Sequence, residues 1–261
     1  MAVKKPKRDL PFDQPLLPQA GQSTREKRDK ILGEKVDLWV AMFAAALMMI
    51  MVAWMLVLSK SVVQGALSVT GVAVALIGVC IIKIGRGMRE ARSYSLGAKG
   101  EVYVSQCLDK LKANGWRLFE DVPNEKGNVD HVLVGPGGIF TIETKTHSRK
   151  DGKKVEVTFD GQKVAINGFE TDEPIRQAFA EAGFIKNLVG ATKADVQPVL
   201  IYVGAIINYR GDKQLWVMHE NKFLSWMETQ RKKLDPAQVS QACTALDGYI
   251  QGQARAKLAQ Q

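Results

Sequence analysis

The sequence predicts an α+β fold, a mixed sheet flanked by helices, preceded by a two-helix transmembrane hairpin. Three observations predict it. Leu38 to Leu58 and Val62 to Ile82 are long runs without a charged residue, each about the length needed to cross a bilayer as a helix. Beyond them, short apolar or alternating runs are punctuated by glycine, proline, aspartate and asparagine, as strands are. Helical patterns precede and follow those strands, the order of an α+β sandwich around one mixed sheet.

The membrane reading rests on more than hydropathy. The first run starts too late and is too long for a cleaved signal peptide. The second carries Gly65, Gly71 and Gly78, small residues that suit a face packed closely on another helix. Lys4, Lys5, Lys7, Arg8, Arg25, Lys27, Arg28, Lys30 and Lys35 precede the first run, and Lys83, Arg86, Arg89 and Arg92 follow the second. Only Lys60 sits between them. The positive-inside bias therefore predicts cytoplasmic ends for both termini. Much of the net charge of +9 flanks the spans, where anionic lipid explains it better than nucleic acid does. Cys80 lies in a span, and Cys107 and Cys243 lie in helical patterns without metal-ligand spacing. No disulfide framework is implied.

With 261 residues the chain divides into five segments. Residues 1–35, rich in Lys, Pro and Gln without apolar periodicity, read as a disordered basic tail. Residues 36–84 are the hairpin, 85–94 a juxtamembrane connector, 95–250 the α+β domain and 251–261 a C-terminal tail. The domain opens with a helix over 96–113, closed by Asn114-Gly115. Val104, Leu108 and Leu111 form its apolar stripe, and Glu101 falls on the same stripe. A carboxylate there is costly unless it is paired, metal-bound or reaches solvent at the stripe's end. A strand begins at Trp116. Strands over 129–134 and 139–145 flank the glycine-rich turn Gly135-Pro136-Gly137-Gly138. A second hairpin, 155–159 with 162–166, turns at Asp160-Gly161. A helix over 171–189 has Pro174 in its first turn. Strands over 199–203 and 215–218 follow, then helices over 222–229 and from Asp235-Pro236 onward.

The first hairpin carries the chemistry. With Val134 opposite Ile139, Val132 pairs with Thr141 and Asp130 with Glu143, and Lys145 shares their face. Directly opposed like charges destabilise a sheet, and a divalent cation between them reverses the sign. Two carboxylates and an ammonium on one spot suit a metal-dependent hydrolytic site. A β-bulge would shift this register. No competing chemistry is visible: the chain has no Walker A loop and no G-x-S-x-G, and its three histidines show no zinc spacing.

Four segments resemble the nuclease-related domain family, NERD, in its order and at compatible spacing over about residues 95–205. They are Gly97-Ala98-Lys99-Gly100-Glu101, Val129-Asp130-His131-Val132-Leu133-Val134-Gly135-Pro136-Gly137-Gly138-Ile139-Phe140, Ile142-Glu143-Thr144-Lys145 and Pro174-Ile175-Arg176-Gln177. The resemblance implies a restriction-endonuclease-like mixed sheet of the PD-(D/E)xK type and a Mg²⁺-dependent nuclease, with Mn²⁺ as a substitute. Asp130 then matches the metal-binding aspartate, Glu143 and Lys145 the E-x-K pair, Glu101 the acidic residue of the first helix and Gln177 the glutamine of the later helix. Asp130, Glu143 and Glu101 would be the metal ligands. Lys145 would position the attacking water or share its proton, and Gln177 would orient water or contact phosphate. Val129 stands where proline is usual. His131 belongs to the pattern but faces away from the carboxylates, a structural position. Gly97 and Gly100 would admit a close backbone, of the sheet or of nucleic acid. The expected partners are nucleic acid, DNA foremost, and the bilayer, with the domain on the cytoplasmic side of a bacterial-type inner membrane. Two other readings stay open: a catalytically weak or inactive nucleic-acid-binding module, and a membrane adaptor that organises protein partners.

Overall fold

A computed structural model describes residues 19–58, 63–125, 127–148, 154–209 and 214–259. Helix α1 (Gln22–Lys30), a π-helical stretch (Ile31–Val36) and α2 (Asp37–Leu58) form one run. Helix α3 (Val63–Leu108) lies antiparallel to it: Val36 meets Gly87, Lys83 covers the ring of Trp39, and Thr24 meets Gly97. The seam is built from small buried residues spaced by sevens, Ala46 and Ala53 on one run and Ala66, Ala73, Cys80 and Gly87 on the other. That spacing keeps one stripe facing the partner helix, and small side chains let the backbones approach. Gly71 and Gly78 are exposed and have nothing nearby, so alanine and cysteine carry the packing expected of the glycines. Gly65 lies outside the described side chains, and Ser59, Lys60 and Ser61, expected to link the two spans, lie outside the described residues. Large apolar side chains such as Met48, Met51, Val72 and Ile81 point outward. Two helices, Gln22–Met55 and Ala66–Asn114, are long and apolar enough to cross a membrane, and the most apolar window of each is 11% buried.

The domain is α+β, as expected. A 3₁₀ turn (Asp109–Asn114) ends α3 at Gly115, and β1 (Arg117–Asn124), β2 (Gly127–Gly135) and β3 (Gly138–Lys145) follow as an antiparallel meander. β4 (Glu156–Phe159), β5 (Val164–Ile166) and β6 (Phe169–Thr171) lead into α4 (Glu173–Leu188). The chain continues through β7 (Val196–Tyr202), β8 (Ile206–Tyr209), β9 (Trp216–Met218), α5 (Glu220–Glu228) and α6 (Pro236–Ala259). The main sheet has the order β1-β2-β3-β7-β9, with β7 parallel to both β3 and β9. A smaller sheet has the order β6-β5-β4-β8.

Both faces of the main sheet are covered, which is why β3 is buried almost throughout. On one face Val132, Val134 and Ile139 meet Ile185 of α4 and Leu246 and Ile250 of α6. On the other, Leu133, Phe140 and Ile142 meet Val104 and Leu108 of α3 and Phe223 of α5. Each such side chain contributes roughly 1.5–3 kcal/mol by leaving water. Together these layers hold the open end of the β2–β3 hairpin beside α3 and α4.

Three expected boundaries are corrected. Residues 22–35 are helical, not a disordered tail; the segment lacks an apolar stripe because polar contacts hold it, and residues 1–18 lie outside the described residues. The connector at 85–94 and the helix expected over 96–113 are the continuation of the second span in α3. No proline interrupts that run, and a glycine inside a helix costs only about 1 kcal/mol. The tail at 251–261 is helical to Ala259, since its glutamine, alanine, arginine, lysine and leucine residues favour helix.

Candidate active site

The hairpin has the expected register. Val134 pairs with Ile139, Val132 with Thr141 and His131 with Ile142, without a bulge. Asp130 comes one residue beyond the last pair, opposite Glu143. Its Oδ2 accepts a hydrogen bond from the Thr144 N–H at 2.8 Å, which ties the two strands together just past the ladder. Glu143 is buried, and its Oε1 accepts from Lys145 Nζ at 2.6 Å. The same ammonium donates to Gln177 Oε1 at 2.9 Å. Gln177 sits on α4, and its Nε2 donates to Glu181 Oε1 one turn later, at 2.8 Å. A polar chain therefore runs Glu143, Lys145, Gln177, Glu181.

Glu101 reaches the same pocket from α3. It is 7% exposed, and its Oε1 accepts from Thr24 Oγ1 at 2.8 Å. Two glycines make this possible. A Cβ at Gly100 would collide with Thr146 just past β3, so glycine lets α3 lie against the sheet. Gly21 has φ +70°, and a Cβ there would lie 2.9 Å from the Ala98 carbonyl oxygen. The start of α1 is thereby pressed onto α3. Asp121 of β1 accepts from the N–H and the Oγ of Ser23, both at 2.7 Å, and Glu120 accepts from the Ala20 N–H at 3.1 Å. A carboxylate at a helix start satisfies an orphan N–H and complements the helix dipole. The resulting cavity is about 630 Å³ and brings together Thr24, Lys27, Glu101, Asp130, Glu143, Lys145, Gln177 and Glu181.

All five residues expected from the sequence line this cavity. Three that sequence reasoning missed, Thr24, Lys27 and Glu181, line it too. Glu181 was legible in principle: it stands four residues after Gln177, on the same helix face. Thr24 and Lys27 gave no signal, because the entire apolar helical hairpin separates them in sequence from the rest of the site. His131 is fully buried with no hydrogen-bond partner for either ring nitrogen among the described residues. Burial pulls its pKa down to about 4, against the opposing charge of Asp121. It is a neutral core side chain.

The electrostatics follow from crowding carboxylates in a half-closed space. Burial, then the charges of Glu143 and Glu101, hold Asp130 well above the usual carboxylate range, against the Thr144 hydrogen bond. Glu101 is raised by burial and by Asp121 and Glu143, with the Thr24 hydrogen bond opposing. Burial and the Glu143 charge push Glu181 up to about 9. Burial alone would lower Lys145, but the charge and hydrogen bond of Glu143, with Asp130 and Glu181, outweigh it and raise the pKa. Lys145 is therefore an ammonium at neutral pH, which favours positioning over proton sharing.

Among the described residues, no group of three or more His, Cys, Asp or Glu side chains is clustered closely enough to hold a metal ion. Asp130 and Glu143 nevertheless offer a hard-oxygen pair, and Glu143 Oε2 is buried without a hydrogen-bond partner among the described residues. Such a pair fits Mg²⁺, which is commonly held by one or two carboxylates with several waters. Glu101, bonded to Thr24, is not brought into a ligating triad with them.

Residues 96–203 match the model of the nuclease-related domain family, NERD. The match includes Glu101, Asp130, Glu143, Lys145, Gln177 and Glu181, and excludes Thr24 and Lys27. None of the curated proteins matches the chain. Among solved structures, Pyrococcus furiosus SfsA in complex with Ca²⁺ is similar over 45% of this chain, at 14% identity and a TM-score of 0.26; the chain spans 54% of that protein.

Proposed function

We propose that this chain is a membrane-anchored, Mg²⁺-dependent nuclease that hydrolyses phosphodiester bonds in nucleic acid, DNA foremost, on the cytoplasmic side. The observation that carries the reading is that Asp130 and the bonded chain Glu143, Lys145 and Gln177 line one cavity inside the NERD match. Asp130 and Glu143 would hold Mg²⁺, with Mn²⁺ as a substitute. Bound there, the ion supplies Lewis-acid polarisation of a phosphoryl oxygen and a more acidic water. Lys145, kept protonated by Glu143, places positive charge where a phosphate oxygen or the attacking water sits. Gln177 fixes the direction of that ammonium. Glu181, protonated at neutral pH, adds no charge to the cluster.

Anchoring is supported by the two apolar runs with outward-facing side chains and by their flanks. Trp39 and Trp54 lie near the two ends of α2, about 22 Å of helix apart, as interfacial aromatics do. One observation favours the second reading, a binding module without catalysis: the protein's own ammonium already occupies one oxygen of Glu143.

The test is a nuclease assay on the purified full chain in detergent, with Mg²⁺, Mn²⁺ or EDTA. The full chain is needed because a domain cut near residue 90 lacks Ser23 and Thr24. Wild type is expected to cut with metal and not with EDTA. Lys145→Ala should lose about 10²–10⁴-fold in rate, the size of a lost electrostatic contact or a lost general acid–base, while keeping DNA affinity within a modest factor. Wild type that binds but never cuts establishes the binding module. Cleavage unchanged in Lys145→Ala rules out this site.

A further inference from the structure

The segment before the first span is built into the cavity wall. Ala20, Ser23 and Thr24 bond to Glu120, Asp121 and Glu101, and Gly21 lies against Ala98. These contacts fix where α1 stands. Lys27 follows Thr24 by three residues, on the same face, and lines the cavity that also holds Glu143 and Lys145. It makes no ion pair among the described residues, whereas its neighbour Arg28 is bound to Asp29 at 2.6 Å. Helix α1 borders the cavity without filling it, since about 630 Å³ remains beside it, room for a small ligand or one nucleotide.

Among the described residues, a polyanion threading this cavity meets two cations, Lys145 within and Lys27 on the α1 wall. We propose that α1 is the substrate-binding wall of the site and that Lys27 contacts a backbone phosphate flanking the one that is cleaved. This rests on the nuclease reading and adds a residue outside the NERD match. The Glu101 carboxyl is raised by burial, and the charge of Lys27 opposes that rise only slightly, in keeping with the lysine's place on the cavity wall.

The experiment uses the full chain in detergent and a short fluorescent DNA duplex with its separated strands. Binding is read in EDTA across a salt series, and cleavage in Mg²⁺. Lys27→Ala is expected to weaken binding about five- to tenfold and to reduce the slope of log affinity against log salt by about one, as for one lost phosphate contact. KM should rise by a similar factor with kcat unchanged. Lys27→Arg should restore both, and Arg28→Ala should match wild type. Lys27→Ala with wild-type affinity and salt slope overturns the proposal while leaving the nuclease reading intact. A gain in affinity or kcat overturns it by showing that α1 obstructs the site. An equal loss in Arg28→Ala overturns it by assigning the effect to bulk charge. Wild type that neither binds nor cuts DNA overturns the nuclease reading itself, and this proposal with it.

Discussion

Asp130 carries two opposing demands: it accepts the Thr144 N–H, yet it faces the charges of Glu143 and Glu101. A divalent cation relieves the repulsion, and a ligand that binds only the native state raises the melting temperature by mass action. Millimolar Mg²⁺ or Mn²⁺ should therefore raise the Tm of wild type. Asp130→Asn keeps an oxygen for Thr144 but removes the charge, so it should lose most of that shift while melting above wild type in EDTA. An equal metal response in both proteins excludes this pair as the ligand set. Glu181 gives a prediction in pH. Its pKa rises from 4.5 in the unfolded chain to about 9 in the fold. The native state then holds more protons than the unfolded state across that window, so the stability it contributes is complete below pH 4.5 and is lost as pH rises towards 9. Tm in EDTA should fall over this range. Asp130 and Glu101, also raised, act in the same direction. Glu181→Gln, neutral at every pH, should flatten the fall, and a slope identical to wild type would remove Glu181 from the cluster. Asp130, Glu143 and Lys145 were legible because strand alternation puts them on one face, and Glu101 and Gln177 through the family resemblance; Glu181, one helical turn after Gln177, was missed. Thr24 and Lys27 were not legible, because no local period links them to Glu101.

Elements were legible where a local rule acts alone. The two-residue Pro136-Gly137 turn and the alternation on either side set the β2–β3 register. The next turn is a correction: Phe159 pairs with Val164, so the loop is the four residues 160–163 and not Asp160-Gly161 alone, because Asp160 Oδ1 accepts from the N–H groups of both Gln162 and Lys163, at 2.8 and 2.7 Å, and draws them into the turn. The strands that escaped, β6 and β8, are short edge strands of the smaller sheet with partly exposed residues and no apolar alternation. Helix α1 escaped for a different reason: its docking is polar, through carboxylates on β1 and α3. This bears on folding. All three apolar clusters lie between Val104 and Ile250, so the α+β domain carries its own driving force. A fragment of residues 95–259 should therefore melt cooperatively without detergent. It should be less robust than the full chain, because it loses the hydrogen bonds of Ala20, Ser23 and Thr24 to Glu120, Asp121 and Glu101, and a hydrogen bond to a charged group contributes about 1.5–3 kcal/mol. Aggregation of this fragment under all conditions would show that the hairpin is part of the domain's core. A fragment as stable as the domain in the full chain would show that α1 adds nothing to it.

At the scale of the whole molecule, two helical runs join the apolar hairpin to the site. One begins with Thr24 and Lys27; the other ends with Glu101 in its last turns. Their antiparallel arrangement sets the end of α1 beside the sheet domain, so N-terminal segment and domain must share one side of any membrane the hairpin crosses. The charge pattern selects which side. Arg25, Lys27, Arg28, Lys30 and Lys35 on one run and Lys83, Arg86, Arg89 and Arg92 on the other gather at the domain end, against Lys60 alone between the two apolar runs of the sequence. Lys35 pairs with Glu90 at 3.6 Å across this end, yet the excess of lysine and arginine remains, and the positive-inside bias predicts the cytoplasmic side for such flanks. A reporter that works only in the cytoplasm should be active when fused after residue 261 and equally active when fused before residue 1. Activity at one terminus alone would break the hairpin into a single span and separate Thr24 from Glu101. Silence at both, with a periplasmic reporter active instead, would invert the topology and remove the site from cytoplasmic nucleic acid, ending the DNA reading whatever the purified protein cuts.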